Sequence, residues 1–169
     1  MRFLTGFWRE ADKMAEEQTK QIIEFLDKSK VKYKLLVHKP VFTSEEAARE
    51  RGMPLKMGVK SLIFKLDKDE FKLILVRADR KADSKRLREI FHAKNVRLAS
   101  PEEVLKISGC KIGSVHPFGN LMDLEILFDK SILENDNIDF NVGQHTHSML
   151  MKAKDLVKVL KPRIEEFTV

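Results

Sequence analysis

The chain has 169 residues, 43% of them hydrophobic and 34% charged, with a formal net charge of +6 and one cysteine. That length supports one domain with its own core, no apolar run approaches the ~20 residues of a membrane-spanning helix, and a lone cysteine excludes an internal disulfide framework. Arg9, Glu10, Asp12 and Lys13 follow the start too closely for a secretion signal, and Glu16 and Glu17 are foreign to a transit peptide, so the chain reads as cytoplasmic.

Phe3, Leu4, Phe7, Trp8, Ala11, Met14, Ala15, Ile22, Ile23 and Leu26 recur at helical spacing and predict one long helix or two short ones over 3–26. Their stripe reads as core, or as an oligomer contact where the domain leaves it uncovered. A turn near Ser29-Lys30 leads into an extended run over 33–37. Thr43 with Glu46 is a capping-box signature for a short helix over 44–51, stopped by Gly52. Residues 61–66 and 71–76 are β-type runs joined by Asp67-Lys68-Asp69-Glu70, a hairpin pattern. Both runs are apolar at nearly every position, so both faces need cover. Asp83 caps a basic helix to about residue 92, and residues 95–98 read as a short strand. Ser100-Pro101-Glu102-Glu103 opens a further helix to about Ile107, with Gly109 as its stop. Residues 124–128, 138–142 and 148–151 read as strands, and 155–160 as a closing helix before Pro162. Strands linked this briefly cannot all be right-handed crossovers. The pattern is α+β, a mixed and largely antiparallel sheet with helices around it in a single domain.

Charge is unevenly spread. Arg77, Arg80, Lys81, Lys85, Arg86, Arg88, Lys94 and Arg97 face only Asp79, Asp83 and Glu89, so this segment holds +5 of the net charge of +6. A polyanion suits such a face, and a solvated helix surface is the plain alternative. Lys60, in Gly58-Val59-Lys60-Ser61-Leu62-Ile63-Phe64, places a point charge at the mouth of an apolar strand. It suits a phosphate or a developing oxyanion as well as simple solvation. Ser61 offers a hydroxyl, which strand alternation turns to the other face. The run Gly113-Ser114-Val115-His116-Pro117-Phe118-Gly119 predicts a rigid turn whose main-chain N–H groups converge on a ligand carbonyl. Structural turns share this composition. His145 and His147 share a strand face and, with His116 or His38, make a zinc-dependent hydrolase conceivable. No carboxylate or cysteine accompanies them at ligand spacing, so no metal is expected. Cys110 lacks a base partner and reads as packing. No phosphate loop, nucleophile elbow or dinucleotide fingerprint is present, so no cofactor is expected.

Taken in order, His38-Lys39-Pro40-Val41-Phe42-Thr43-Ser44-Glu45-Glu46-Ala47-Ala48, Gly58 to Leu62, the stretch 76–87 around Asp83, Ala99 to Val104, Ser108-Gly109, the 113–119 turn and Phe140-Asn141-Val142-Gly143-Gln144-His145 resemble one family. It is the YbaK/prolyl-tRNA synthetase-associated editing domains, which are aminoacyl-tRNA deacylases. The resemblance spans about residues 20 to 160. It divides the chain into a helical extension, 1–19, and an editing domain, 20–169. It implies a YbaK-like mixed, curved sheet surrounded by helices, and a freestanding enzyme that hydrolyses the ester of a mischarged tRNA. Lys60 would be the key active-site residue, contacting the terminal adenosine and positioning the ester. Phe42, Arg80, Asn141 and Gly143 would line or flank the pocket, with Ser61 and His145 as further contacts. Residues Gly113, Ser114, Val115, His116, Pro117, Phe118 and Gly119 would hold the aminoacyl group. Arg77, Lys81, Lys85, Arg86 and Arg88 would meet the tRNA backbone. Water activated by the terminal ribose would attack, without a metal. tRNA is the implied partner and an aminoacyl-tRNA synthetase a candidate second one, with no membrane. Asn141 to His145 depart from the His-Pro-Leu of branches that clear alanine and from the small-Gly-basic-Gly of branches that clear cysteine, which leaves the amino acid open. The same fold without loop chemistry would be a non-catalytic tRNA- or synthetase-binding module.

Overall fold

The computed structural model describes residues 2–169, with side chains from Arg9 onward. The side chains of Phe3, Leu4, Phe7 and Trp8, part of the expected apolar stripe, lie outside the described residues. Helix α1 (Arg2–Ser29) runs unbroken across residue 19. Its Ala11, Thr19, Ile22 and Leu26 are buried, and Thr19 Oγ1 donates to the Val142 carbonyl at 2.7 Å. Gly143 lets the chain pass close beneath it. Its φ is +98°, and a Cβ there would stand 2.9 Å from Gln18 Cβ.

The remaining elements are β1 (Tyr33–Val37), α2 (Ser44–Arg51), β2 (Val59–Leu66), β3 (Phe71–Arg77), α3 (Ser84–Phe91) and β4 (Val96–Leu98). They continue with α4 (Pro101–Ser108), β5 (Ile126–Asp129), β6 (Asn137–Asn141), β7 (His147–Lys152), α5 (Ala153–Leu160) and β8 (Arg163–Glu165). The strands form two ladders. One, in the order β1-β7-β6, is antiparallel throughout. The other has the order β4-β2-β3-β5-β8, antiparallel at β4-β2 and β2-β3 and parallel at β3-β5 and β5-β8. An isolated parallel bridge between Gly58 and Asp139 joins them. The fold is thus mixed α+β as its pattern implied, with the join lying where β2 begins.

Local chemistry explains the ends of the elements. Thr43 Oγ1 accepts from the Glu46 N–H at 3.1 Å, while the Glu46 carboxylate reaches the N–H of Phe42 at 3.2 Å, one residue before the expected partner. Ser100 and Glu103 complete both halves of their capping box. Strands β2 and β3 send side chains into a core on each face. Val59, Ile63, Leu73 and Leu75 enter the main core, and Phe64, Ile74 and Val76 enter a second one with Leu87 and Phe167. Strand β8 escaped the sequence reading because it is short and carries one apolar residue, Ile164. The chain after it is tied down by Asp129, whose carboxylate accepts from the N–H of Phe167 at 3.0 Å and from Thr168 Oγ1 at 3.0 Å.

The 113–119 segment corrects an expectation. His116, Pro117, Phe118 and Gly119 are buried core rather than a ligand-facing turn. Phe118 packs edge-on against Phe25 and Phe140, with ring centroids 6.0 and 5.7 Å away. A Cβ on Gly119 would fall 2.5 Å from Ile126 Cγ1. The N–H groups of Ser114, Phe118 and Gly119 are spent on Lys111 O, His116 Nδ1 and Pro117 O. Burying a phenylalanine and a proline outweighs keeping the turn open to a ligand. His116 Nε2 faces Gln18 Oε1 at 3.2 Å, which fits a neutral ring that accepts at Nδ1 and donates at Nε2.

Burial pushes the His116 imidazole from 6.5 down to about 3. The unfolded chain therefore takes up a proton near pH 6.5 that the folded chain refuses until about pH 3. Stability present at neutral pH is lost as the pH falls through that window, by about 1.4 kcal/mol per unit. Urea midpoints at pH 6.5 and pH 5 are expected to differ by about 2 kcal/mol in unfolding free energy from this group. His116→Gln is expected to show a correspondingly shallower pH dependence.

Candidate active site

A cavity of about 310 Å³ opens where α2, the start of β2, β6 and the chain at 112–115 meet. Phe42, Arg51, Lys60, Gly113, Asp139 and Asn141 are on its walls. Alternation on β6 supplies two of these. Ile138 and Phe140 go to the core, so Asp139 and Asn141 share the opposite face.

Lys60 sits half-buried beside the apolar run of β2, and its Nζ donates to the Arg80 carbonyl at 2.8 Å. Burial lowers its pKa from the ordinary lysine value, the nearby Lys81 adds to the fall, and Glu45 and Asp79 oppose it. One N–H is thus fixed, and the other two remain for a ligand. Arg80 contributes its main chain here. Its side chain borders a separate shallow cavity with Asp129 and Glu134.

Arg51 and Asp139 were not singled out from the sequence, yet they organise the cavity wall. Arg51 Nη1 meets Asp139 Oδ1 at 2.5 Å, with both side chains almost fully buried. Arg51 Nε donates to Ser148 Oγ at 2.7 Å and Nη2 to Asn141 Oδ1 at 2.8 Å. Asn141 Nδ2 passes the connection on to the Gly113 carbonyl at 2.7 Å, and Ser148 Oγ lies 2.6 Å from His38 Nε2. Burial raises the Asp139 pKa against the pull of Arg51, and the guanidinium stays charged. Asp139 Oδ2 and Ser61 Oγ, both buried, have no hydrogen-bond partner. A carboxylate between Ile138 and Phe140 was the available signal. Arg51 stands in the last turn of α2, where a cation is commonplace, so its position alone carries no signal.

Among the remaining expected site residues, Gly113, Val115 and Ser61 line the cavity. Ser114 turns its hydroxyl to the Lys111 carbonyl at 2.7 Å. Gly143, with its N–H on the Ser114 carbonyl, borders a neighbouring cavity beside α1. His145 stacks on the exposed ring of Phe42, with centroids 4.7 Å apart, and its Nε2 lies 2.9 Å from Ile112 O. His147 pairs through Nδ1 with Thr146 Oγ1 at 2.7 Å. Among the described residues no three His, Cys, Asp or Glu side chains converge as a metal site would need. Burial pushes the Cys110 thiol up to about 11, as expected of packing. Lys81, Lys85, Arg86 and Arg88 are exposed on and before α3. Arg77 is not a free cation, because Asp79 and Glu134 each hold it at 2.6 Å. Among the described residues no helix is long and apolar enough to cross a membrane.

Removing one partner of the buried pair leaves the other charge stranded. Arg51→Leu is expected to cost about 3–5 kcal/mol in urea unfolding, and Arg51→Leu combined with Asp139→Leu to recover much of that loss.

The sequence model of the aminoacyl-tRNA editing domain matches residues 38–159. Over 151 residues the chain is 28% identical to the multifunctional Ser/Thr-tRNA deacylase ProXp-y of Escherichia coli K12, covering 87% of this chain and 90% of that one. It is 28% identical over 145 residues to the prolyl-tRNA editing protein ProX of Acetoanaerobium sticklandii, covering 83% of this chain and 88% of that one. The crystal structure of hypothetical protein APE2540 has the same fold, with a TM-score of 0.81 at 21% identity over 88% of this chain and 99% of that one. A family match over most of the chain, on a shared fold, makes the protein a member of the aminoacyl-tRNA editing domain family.

Proposed function

We propose that this protein is an aminoacyl-tRNA deacylase, which hydrolyses the ester between a wrongly attached amino acid and the terminal ribose of tRNA and acts on the charged tRNA in trans. The observation that carries this reading is one cavity with Lys60, Phe42, Gly113 and Asn141 on its walls, in a chain of the editing family. The deacylase and editing names of the relatives from E. coli and A. sticklandii support it.

In the reaction, water oxygen bonds to the ester carbonyl carbon, the bond to the ribose oxygen breaks, and that oxygen leaves with a proton. The products are a free amino acid and an uncharged tRNA. The residues on the cavity wall suit direct attack by water. Cys110 is buried elsewhere as a neutral thiol, and Ser61 has no base bonded to it. Catalysis then rests on orientation and on charge placed where the oxyanion develops. Lys60, held at one N–H by Arg80, presents its remaining donors to a phosphate or to that oxyanion. Gly113 and Val115 shape the wall around the aminoacyl group. Phe42 is 63% exposed and backed by His145, and its ring face suits stacking of a terminal base. Lys81, Lys85, Arg86 and Arg88 neutralise phosphates further along the tRNA, which makes affinity salt-sensitive. A synthetase partner would meet the same tRNA and is not needed for the chemistry.

A panel of mischarged tRNAs incubated with wild type and with Lys60→Ala tests the reading. Wild type is expected to deacylate at least one of them, and the variant to lose about 100-fold or more in kcat/KM. Equal rates for wild type and variant, or no deacylation of any substrate, would contradict it.

A further inference from the structure

We infer that the segment 167–169, tied down by Asp129, positions Lys60 by setting the peptide unit whose carbonyl holds the Lys60 amine in the cavity. This rests on the deacylase reading for its consequence in catalysis and adds to it the residues that keep the amine in place.

The Arg80 carbonyl and the Lys81 N–H belong to one planar peptide unit, and a trans peptide points the two in opposite directions. At one end the carbonyl accepts from Lys60 Nζ at 2.8 Å. At the other the N–H donates to the Val169 carbonyl at 3.1 Å. Neighbouring bonds extend this contact into a short antiparallel pairing. Val169 N donates to Lys81 O at 2.9 Å, Asp83 N donates to Phe167 O at 2.8 Å, and Thr168 stands opposite Ala82. The peptide cannot turn without breaking one of its two bonds.

What keeps 167–169 in place lies away from the cavity. Phe167 is 1% exposed and packs with Phe64, Ile74, Val76 and Leu87. Asp129, 2% exposed at the end of β5, accepts from Phe167 N and Thr168 Oγ1, both at 3.0 Å, and from the N–H and hydroxyl of Ser131. A buried carboxylate is costly without such donors, and charge-assisted bonds of this kind are strong. Neither Asp129 nor Thr168 lines the Lys60 cavity, so their influence on the amine passes through the 80–81 peptide. The amine needs that support. Lysine carries a hydrated point charge on a flexible stem, and a misplacement of about 1 Å can cost about 100-fold in rate.

The test compares wild type with Asp129→Asn, with Thr168→Val, which keeps the shape and loses the hydroxyl, and with Thr168→Ser, which keeps the donor. Circular dichroism checks folding, and Thr168→Val carries the test if Asp129→Asn does not fold. One readout is kcat and KM on a mischarged tRNA. The other is acetylation of Lys60 by acetic anhydride across a pH series, read by peptide mass spectrometry, which needs no activity. Burial lowers the Lys60 pKa, Glu45 and Asp79 oppose the fall, Lys81 adds to it, and Arg51 and Asp139 line the same cavity. An amine released toward water returns to the ordinary lysine value, so its acetylation moves to higher pH. Thr168→Val is expected to lose about fivefold or more in kcat with KM changed less than about twofold. Its Lys60 profile is expected to rise by about half a pH unit or more, with Thr168→Ser close to wild type. A Lys60 profile unmoved in folded Thr168→Val, whether or not the rate falls, would overturn the inference and leave the deacylase reading intact. A shifted profile with unchanged kcat would overturn it too. No deacylation of any mischarged tRNA by wild type would remove the deacylase reading, while a shifted profile would still support the placement of the amine by 167–169.

Discussion

A guanidinium buried between a helix and two strands sets the shape of this molecule's cavity. Arg51 ends α2, and its three bonded nitrogens fix Asp139 and Asn141 on β6 and Ser148 on β7. Withdrawing such a pair from water is costly, and only good geometry and further hydrogen bonds offset the cost. Here the bonds form a closed set, except for one carboxylate oxygen. The wall that faces a ligand is therefore positioned by interactions that do not themselves require a ligand.

Around that wall, the fold brings three separate pieces of chain together. The bridge from Gly58 to Asp139 joins the two ladders beside the start of β2, which sets Lys60 next to the Arg51 network. Asn141 then reaches across to Gly113, so the first residue of the 113–119 segment belongs to the cavity while its last four belong to the core. One segment both anchors the site from below and edges it from the side. The exposed ring of Phe42 edges the cavity with His145 behind it, and the cations of α3 lie beyond it, where a longer ligand such as a nucleic-acid end would extend.

Much of this was legible before the structure. Caps at Thr43, Asp83 and Ser100 marked three helix starts, because side-chain oxygens that satisfy orphan N–H groups are local features of sequence. The nearly unbroken apolar runs of β2 and β3 foretold cover on both faces. What failed depended on distant contacts. The Gly-Pro-Gly composition of 113–119 suits a ligand turn and a buried turn equally, and only Phe25, Phe140 and Ile126, far away in sequence, decide between them. Arg77 counted as a free cation until β3 placed it against Glu134. Arg51 and Asp139 are 88 residues apart, so nothing local announced their pairing.

The account stands on the cavity receiving the acylated end of the tRNA. A crystal structure with a non-hydrolysable 3′-aminoacylamino-adenosine tests this most directly. The aminoacyl group should lie between Lys60 and Asn141, with the Lys60 amine within hydrogen-bond distance of the analogue. An analogue seated instead in the neighbouring cavity beside α1, out of reach of Lys60, would contradict the account.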